Sequence, residues 1–385
     1  MQFKNLILIA TAAAAAVSCQ QAAKESCSTD SGLCPAKFVA EYRNDSTELF
    51  TLRNANGMEA CITNFGGRVV SLMVPDRDGK MHDVVLGFDS IQAYFPENNK
   101  SDFGATIGRY ANRINQGRFV LEDSTYQLPQ NNYGHCLHGG GDMGTYGWQY
   151  RTFKPVAYTD STLTLAIESA DGDNGFPGTV NATVTYTLTP DNALSIEYAA
   201  TTDKLTIINM TNHSYFNLSG DGNNSILDET LMVNASNFTP VDSTFMTSGE
   251  IVSVEGTPFD FRTAKPIGQD IAADNEQIHN ANGYDHNFVL DTNRDINVVA
   301  ASLENPANGI HMDVYTNEPG IQIYTGNFLD GTVTGKGNIA YQKNAAVCLE
   351  TQHYPDSPNK PQWPSVVLLP GETYTSQCIY KFSVK

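Results

Sequence analysis

The sequence predicts an all-β protein: one large, mostly antiparallel β-sandwich over residues 37–385. Three observations point there. The stretch 163–198 contains three runs in which apolar and polar residues alternate strictly, separated by turn residues. A side-chain period of two with one wet face is the mark of an antiparallel meander. The chain also holds 31 Gly and 17 Pro in 385 residues, which suits many tight turns. Long helical periodicity, a repeat of solenoid or propeller period and a Pro/Gly/Ser-rich internal linker are all absent, which favours a single domain over two smaller β domains.

In chain order, residues 1–18 read as an export signal. Lys4 supplies the positive start, and Leu6 to Val17 form an apolar stretch too short to span a membrane as a helix. Ala16-Val17-Ser18-Cys19 resembles a bacterial lipobox, which makes Cys19 a lipid-attachment site; ordinary cleavage near the same point is the alternative. The protein is then exported, periplasmic or in the cell envelope, and held to a membrane only through that anchor. Residues 19–36 are small and polar and are expected to form a tether. Cys27 and Cys34 are close enough in sequence to close a small disulfide loop within it. Cys61, Cys136, Cys348 and Cys378 lie in apolar contexts and read as buried small hydrophobes. No CxxC or HxxxH spacing occurs, so no zinc site is expected.

Strand-like segments follow at Phe119 to Leu128, Leu163 to Ile167, Val180 to Leu188, Leu194 to Tyr198, Ile207 to Tyr215, Ile296 to Leu303 and Ile310 to Thr316. Only Ser90 to Phe95 and Ile267 to Ile278 read as short helices. The formal net charge of -19 disfavours nucleic acid and anionic membrane surfaces, both of which need basic patches. A neutral or cationic small ligand is easier to accommodate, although acidic excess also serves simple solubility.

A few residues stand out chemically. His213 ends an alternating run in Thr211-Asn212-His213-Ser214-Tyr215-Phe216. Glu350 follows the apolar stretch Ala345 to Leu349, where partial burial would raise its pKa and suit it to act as a base near neutrality. Taken singly, His213 fits a hydrogen-bonded core histidine and Glu350 a buried ion pair. Together, a His and a Glu facing one small molecule suffice for a reaction that only moves protons. His138, in Leu137-His138-Gly139-Gly140-Gly141, fits a tight turn as well as a ligand contact. Arg109 and Arg113, four apart with Asn112 between them, can offer several donors to hydroxyl oxygens or belong to salt bridges. Asp285-His286 can anchor a loop or touch a ligand.

Jointly, these segments resemble the aldose 1-epimerase (galactose mutarotase) family. The resemblance rests on Ile107-Gly108-Arg109-Tyr110-Ala111-Asn112-Arg113-Ile114, Leu137-His138-Gly139-Gly140, Thr211 to Leu218, Glu255 to Arg262, Gly283 to Phe288, Ile321 to Gly331 and Leu349-Glu350-Thr351-Gln352, in order across residues 38–382. It implies a large β-sandwich with an open cleft for a monosaccharide, and neither a metal nor an organic cofactor. By that resemblance His213 is the general acid that protonates the ring oxygen, and Glu350 the general base at the anomeric hydroxyl. His138 hydrogen-bonds the sugar near the reacting centre, while Asn112, Arg113, Asp285 and Gln322 grip the remaining hydroxyls. Two stretches depart from the family pattern, His135-Cys136 before His138 and Gly144-Thr145-Tyr146-Gly147-Trp148 after it, and both bear on substrate preference. Competing readings are a non-catalytic sugar-binding protein on the same scaffold, which has no need of the acid–base pair, and a retaining glycoside hydrolase using Asp285 and Glu350. An epimerase of phosphorylated hexoses is disfavoured by the acidic charge and the export signal.

Overall fold

A computed structural model describes residues 29–140, 146–220 and 222–385. The export signal, Cys19, Cys27, Gly144 and Thr145 lie outside these residues. The first described segment belongs to the folded body rather than to a tether. Leu33 is buried in a core cluster with Phe38 and Cys61, and the Asp30 and Ser31 amides donate to the Glu59 carboxylate.

The described residues form three main sheets, with antiparallel pairing throughout. The largest has nine strands in the order Lys154–Tyr158, Thr162–Ser169, Val180–Leu188, Ala193–Thr202, Tyr374–Val384, Ile310–Thr316, Val299–Glu304, Thr230–Val233 and Lys265–Pro266. Its first half contains the expected meander. Leu163, Leu165, Val184, Tyr186, Ile196 and Tyr198 all point inward and are buried, while the alternate Thr and Asn residues stay partly wet. A six-stranded sheet runs Tyr215–Phe216, Val347–Gln352, Gly320–Tyr324, Asp285–Val289, Asn237–Thr239 and Val252–Ser253, and a four-stranded sheet is built from residues 49–83. One apolar core joins all three. Leu52, Ile62 and Leu72 come from the small sheet, Val184, Val314 and Tyr380 from the large one, and Phe288, Ile323 and Leu349 from the third. The Tyr380 hydroxyl donates to the Leu349 carbonyl across the interface at 2.9 Å.

Several expected elements are broken up. Phe119 to Leu128 is a hairpin of Arg118–Leu121 and Ser124–Gln127, because Glu122 adopts a left-handed turn conformation (φ 50°). Ile207 to Tyr215 splits into Thr206–Ile207, Thr211–His213 and Tyr215–Phe216, each paired with a different partner. Neither expected helix forms as read. Ser90 to Phe95 holds one 3₁₀ turn, Ile91–Tyr94. Ile267 to Ile278 starts as the 3₁₀ turn Ile267–Gln269, and only Glu276–Ala281 is α-helical, capped by the Asn275 side chain accepting from the Gln277 amide. Apolar spacing in this region reflects attachment to the sheet edge rather than a helical face. No helix among the described residues is long and apolar enough to cross a membrane.

Candidate active site

Three backbone arrangements bring the chemistry together. The Thr211–His213 strand pairs with Ala105–Ile107, and the Gly104 amide donates to the His213 carbonyl, so the His213 ring projects from a doubly held backbone. In the six-stranded sheet, Gln322 lies directly across from Glu350 and Asn287. With the period of two along each strand, this places Asp285, Gln322, Cys348 and Glu350 on one face, while Val347 and Leu349 turn to the core. The third arrangement is the short ladder of Arg113–Ile114 with Cys136–Leu137, continued by the His138 amide donating to the Asn112 carbonyl. Asn112 and His138 both hold positive φ (63° and 54°), which aims their side chains off the ladder and into the cleft. Gly139 is needed beside them: a Cβ there would lie 2.4 Å from the Gly108 carbonyl oxygen.

These elements line one cavity of about 320 Å³. Its walls include Asp102, Asn112, Arg113, His138, His213, Asp285 and Glu350, with Tyr133, Phe245, Tyr324 and Phe328 at the mouth. Six of the seven residues expected from the sequence are therefore brought together here. The seventh, Gln322, sits behind the wall, where its Nε2 donates to Asp285 Oδ1 at 2.7 Å. A larger groove of about 960 Å³ runs along the wet face of the nine-stranded sheet, but no histidine lines it. Of these two, the smaller cavity is the one that places histidines and carboxyl groups side by side.

His213 Nε2 lies 3.5 Å from Glu350 Oε1, and both side chains are nearly sealed from solvent, at 6% and 2% exposure. His213 Nδ1 and Glu350 Oε2 have no hydrogen-bond partner among the described residues. Burial pushes Glu350 well above the ordinary carboxylate range, helped by Asp285 and Asp102 and opposed by the Arg113 guanidinium. Burial pulls His213 down to about 3, with Arg68 adding to the effect. Burial also lowers His138 well below the usual imidazole value. Its Nδ1 accepts from the Asn112 amide at 3.1 Å, which leaves the proton on Nε2, facing the cavity. His138 and His213 meet edge to face, 5.2 Å between ring centres.

Arg113 is held by Asn132, which accepts from its Nε at 3.0 Å, and by the Phe245 ring 4.8 Å from its guanidinium carbon. Its remaining donors are free to face the cavity. Burial raises Asp285, against the pull of Arg113 and the bond from Gln322. Asp102, His138 and His213 place potential ligand atoms within 4.8 Å of one another, as do His213, Cys348 and Glu350, so either trio has the donor types of a transition-metal site.

Two other candidates are structural. Arg109 points away from the cavity and donates to the carbonyls of Ser169, Ala170, Pro177 and Gly178. His286 is fully buried, bonded to Gln277 and packed on Phe259. Among the rim departures, His135 binds Thr244 through Nε2 at 2.9 Å and so fixes the turn carrying Phe245, while Cys136 is core. Asp102 and the aromatic mouth were missed by sequence reasoning. Tyr324 and Phe328 lie inside a motif already singled out, but nothing in Ser101-Asp102-Phe103 or Val241 to Met246 sets those segments apart in the sequence.

The comparisons with known proteins agree with this geometry. A sequence model of the family described as aldose 1-epimerase matches residues 48–381. The chain is 40% identical over 343 residues to the galactose mutarotase of Rattus norvegicus, covering 88% of this chain and 95% of that one. It is 39% identical over 336 residues to the aldose 1-epimerase of Escherichia coli K12, covering 87% and 94%. Among solved structures, the aldose epimerase homologue from C. elegans superposes with a TM-score of 0.80 at 32% identity, over 88% of this chain and 99% of that one. The galactose 1-epimerase from Lactobacillus acidophilus gives 0.77 at 29%, over 90% and 97%.

Proposed function

The chain belongs to the aldose 1-epimerase family, and we propose that it acts as one, interconverting the α and β anomers of free aldohexoses of the glucose and galactose type. The observation that carries this reading is the sealed His213–Glu350 pair, 3.5 Å apart on the wall of a cavity also lined by Asn112, Arg113, His138 and Asp285. A cyclic hemiacetal opens when O1 loses a proton and the ring oxygen gains one, so a pair holding a single proton can run the cycle without net exchange with water.

The anomeric hydroxyl donates to Glu350, which stabilises the carboxylate form and lets the pair's proton reside on His213. Glu350 then takes the O1 proton as His213 Nε2 protonates the ring oxygen. The C1–O5 bond breaks and the C1=O1 bond forms. Rotation about C1–C2 presents the other face of the aldehyde. Closure reverses both transfers, with Glu350 returning a proton to O1 and His213 recovering one from O5. Each positioned group supplies about 10²–10⁴-fold assistance. Arg113, Asn112 and Asp285, with Gln322 behind Asp285, hold the ring through the rotation, and the His138 Nε2 proton binds oxygen near C1.

Polarimetry on freshly dissolved α-D-glucose and α-D-galactose tests this, with wild type and Glu350→Gln side by side. The expected result is acceleration that disappears in the variant while an aryl glycoside, whose O1 is blocked, stays intact. A variant at wild-type rate sinks the assignment of Glu350.

The same proposal places the enzyme outside the cytoplasm, lipid-anchored through Cys19 after removal of residues 1–18. It is supported by the charged, apolar and small-residue order of that segment. Metabolic labelling with a fatty acid, lost in Cys19→Ala, checks the anchor; label retained in that variant overturns it.

A further inference from the structure

One wall of the cavity has no part in the chemistry above. Asp102 lies there beside the two histidines, with a carboxylate oxygen within 4.8 Å of a ring nitrogen of each. Its backbone is fixed on both sides. The fully buried Arg68 donates to the Ser101 carbonyl at 3.1 Å and to the Phe103 carbonyl at 2.9 Å, and the Ala105 amide donates to the carbonyl of Asp102 itself. Arg68 thus spends its donors on the chain around Asp102 and on the Gln149 carbonyl, not on the carboxylate. Asp102 Oδ1 is buried without a hydrogen-bond partner among the described residues. Burial pushes its pKa up to about 6, against the pull of Arg68. A rigidly placed carboxylate oxygen that accepts from no donor among the described residues is left for water or a ligand to satisfy.

We propose that Asp102 is a substrate-binding residue that accepts a hydroxyl hydrogen from the sugar close to the reacting carbon, and that it sets the site against acidic sugars. The reasoning rests on the epimerase reading above. Three carboxyl groups, Asp102, Asp285 and Glu350, line the cavity with the guanidinium of Arg113 and the ammonium of Lys100, and burial disfavours the charge of Glu350 most strongly. In a cavity of about 320 Å³ no part of a hexose is far from any of them. A neutral sugar brings hydroxyl donors that suit all three. A hexuronate brings a further carboxylate into a largely dry site, where like-charge repulsion is weakly screened. Of the two aspartates, Asp285 accepts a bond from Gln322, whereas Asp102 Oδ1 has no partner among the described residues, so the charge of Asp102 is the one that tips the balance.

The test is steady-state polarimetry of D-galactose, D-glucose and D-glucuronate at pH 7.5 with wild type, Asp102→Asn and Asp102→Glu. The isosteric Asn variant should raise KM for the hexoses about tenfold, the size of one charge-assisted hydrogen bond, with a smaller change in kcat. The ratio of kcat/KM for glucuronate over glucose should rise at least tenfold. Asp102→Glu keeps the charge and should keep the wild-type ratio. Thermal melts of the three proteins guard against misfolding. An Asn variant that folds, with wild-type KM and wild-type ratio, overturns the inference while leaving the epimerase intact. Wild type inactive on all three sugars would instead remove the epimerase reading and this one with it.

Discussion

Two buried histidine–glutamate pairs sit at the end of the same strand, Val347–Gln352, and they are built for opposite purposes. Glu350 faces His213 across 3.5 Å with an oxygen and a nitrogen left unsatisfied, at the wall of a cavity. Three residues on, His353 Nδ1 lies 2.5 Å from Glu318 Oε2, in direct contact but without hydrogen-bond alignment. That second pair is enclosed. The Tyr374 hydroxyl donates to Glu318, Thr316 accepts from the Glu318 amide, and Asn209 brackets the His353 backbone at 3.0 and 3.3 Å. Burial is the largest single influence and would raise Glu318, but His353, Ser376 and Arg294 together outweigh it and hold the carboxyl below the ordinary glutamate value. For Glu350 no such partner intervenes and burial wins. The residue types are the same. What differs is that His353 and Glu318 close on each other, whereas His213 and Glu350 stand apart on the wall of a cavity.

The strongest way to break this comparison is to neutralise each glutamate. Glu350→Gln should lower the mutarotation rate by about 10³-fold or more while leaving the melting temperature equal or higher, since it removes a buried group whose charge is disfavoured; polarimetry and calorimetry on one sample decide it. Glu318→Gln should do the reverse. Breaking a closed buried pair costs about 3 kcal/mol of stability, read by urea denaturation, with mutarotation below the transition changed only a few-fold.

A milder disturbance tests the grip on the sugar. Arg113→Lys loses the planar fork and the stacking on Phe245, and KM for galactose should rise about tenfold or more. At the mouth, Phe328→Ala should change KM only two- to three-fold, because this ring is about half exposed (52%) and contributes one face of a stacking platform.

The pH dependence of stability separates the two pairs without touching activity. In mildly acid solution the two members of the His213–Glu350 pair act in opposite directions: the depressed His213 favours the folded state as pH rises towards the ordinary imidazole value, and the raised Glu350 disfavours it. Above about 6.5 the histidine adds no further slope, and the raised Glu350 contributes stability that falls as pH rises through its folded value. Glu318 has the opposite sign. Its depressed pKa contributes stability above the ordinary glutamate value that is lost as pH falls through the folded value. Denaturation curves from pH 4 to 9 should therefore show the alkaline decline weakened in Glu350→Gln and the acid decline weakened in Glu318→Gln.

How much of this was legible beforehand follows the same division. The meander, with Val180, Ala182 and Val184 alternating against Asn181 and Thr183, could be read because a half-buried strand leaves its period in the sequence. Segments whose pairing changes every few residues leave none, which is why Ile207 to Tyr215 read as one strand rather than three. Asn112, Arg113, His138, His213, Asp285 and Glu350 were all identifiable, because each lies in a distinctive short segment and the family resemblance joined them. Gln322 was found, though as a residue acting through Asp285 rather than on the cavity wall. Asp102 could not have been picked out, since its meaning comes from Arg68, 34 positions away, occupying the carbonyls on either side of it. Arg109 misled for the converse reason: four residues from Arg113, it ends in a nest of carbonyls that only the fold assembles.

The Gly108–Gly139 contact has a consequence for redesign. A Cβ on Gly139 would strike the Gly108 carbonyl at 2.4 Å, and one on Gly108 would lie 2.1 Å from the Trp148 ring. The backbone that aims Asn112, Arg113 and His138 is therefore clamped in three layers, with no slack to absorb even a methyl group. Tyr133 and Phe328, 61% and 52% exposed, stand in open space on the opposite terms. A library meant to change which sugar is accepted should draw its diversity from that aromatic rim and leave the clamped turn untouched, because variation there costs folded protein before it yields a new preference.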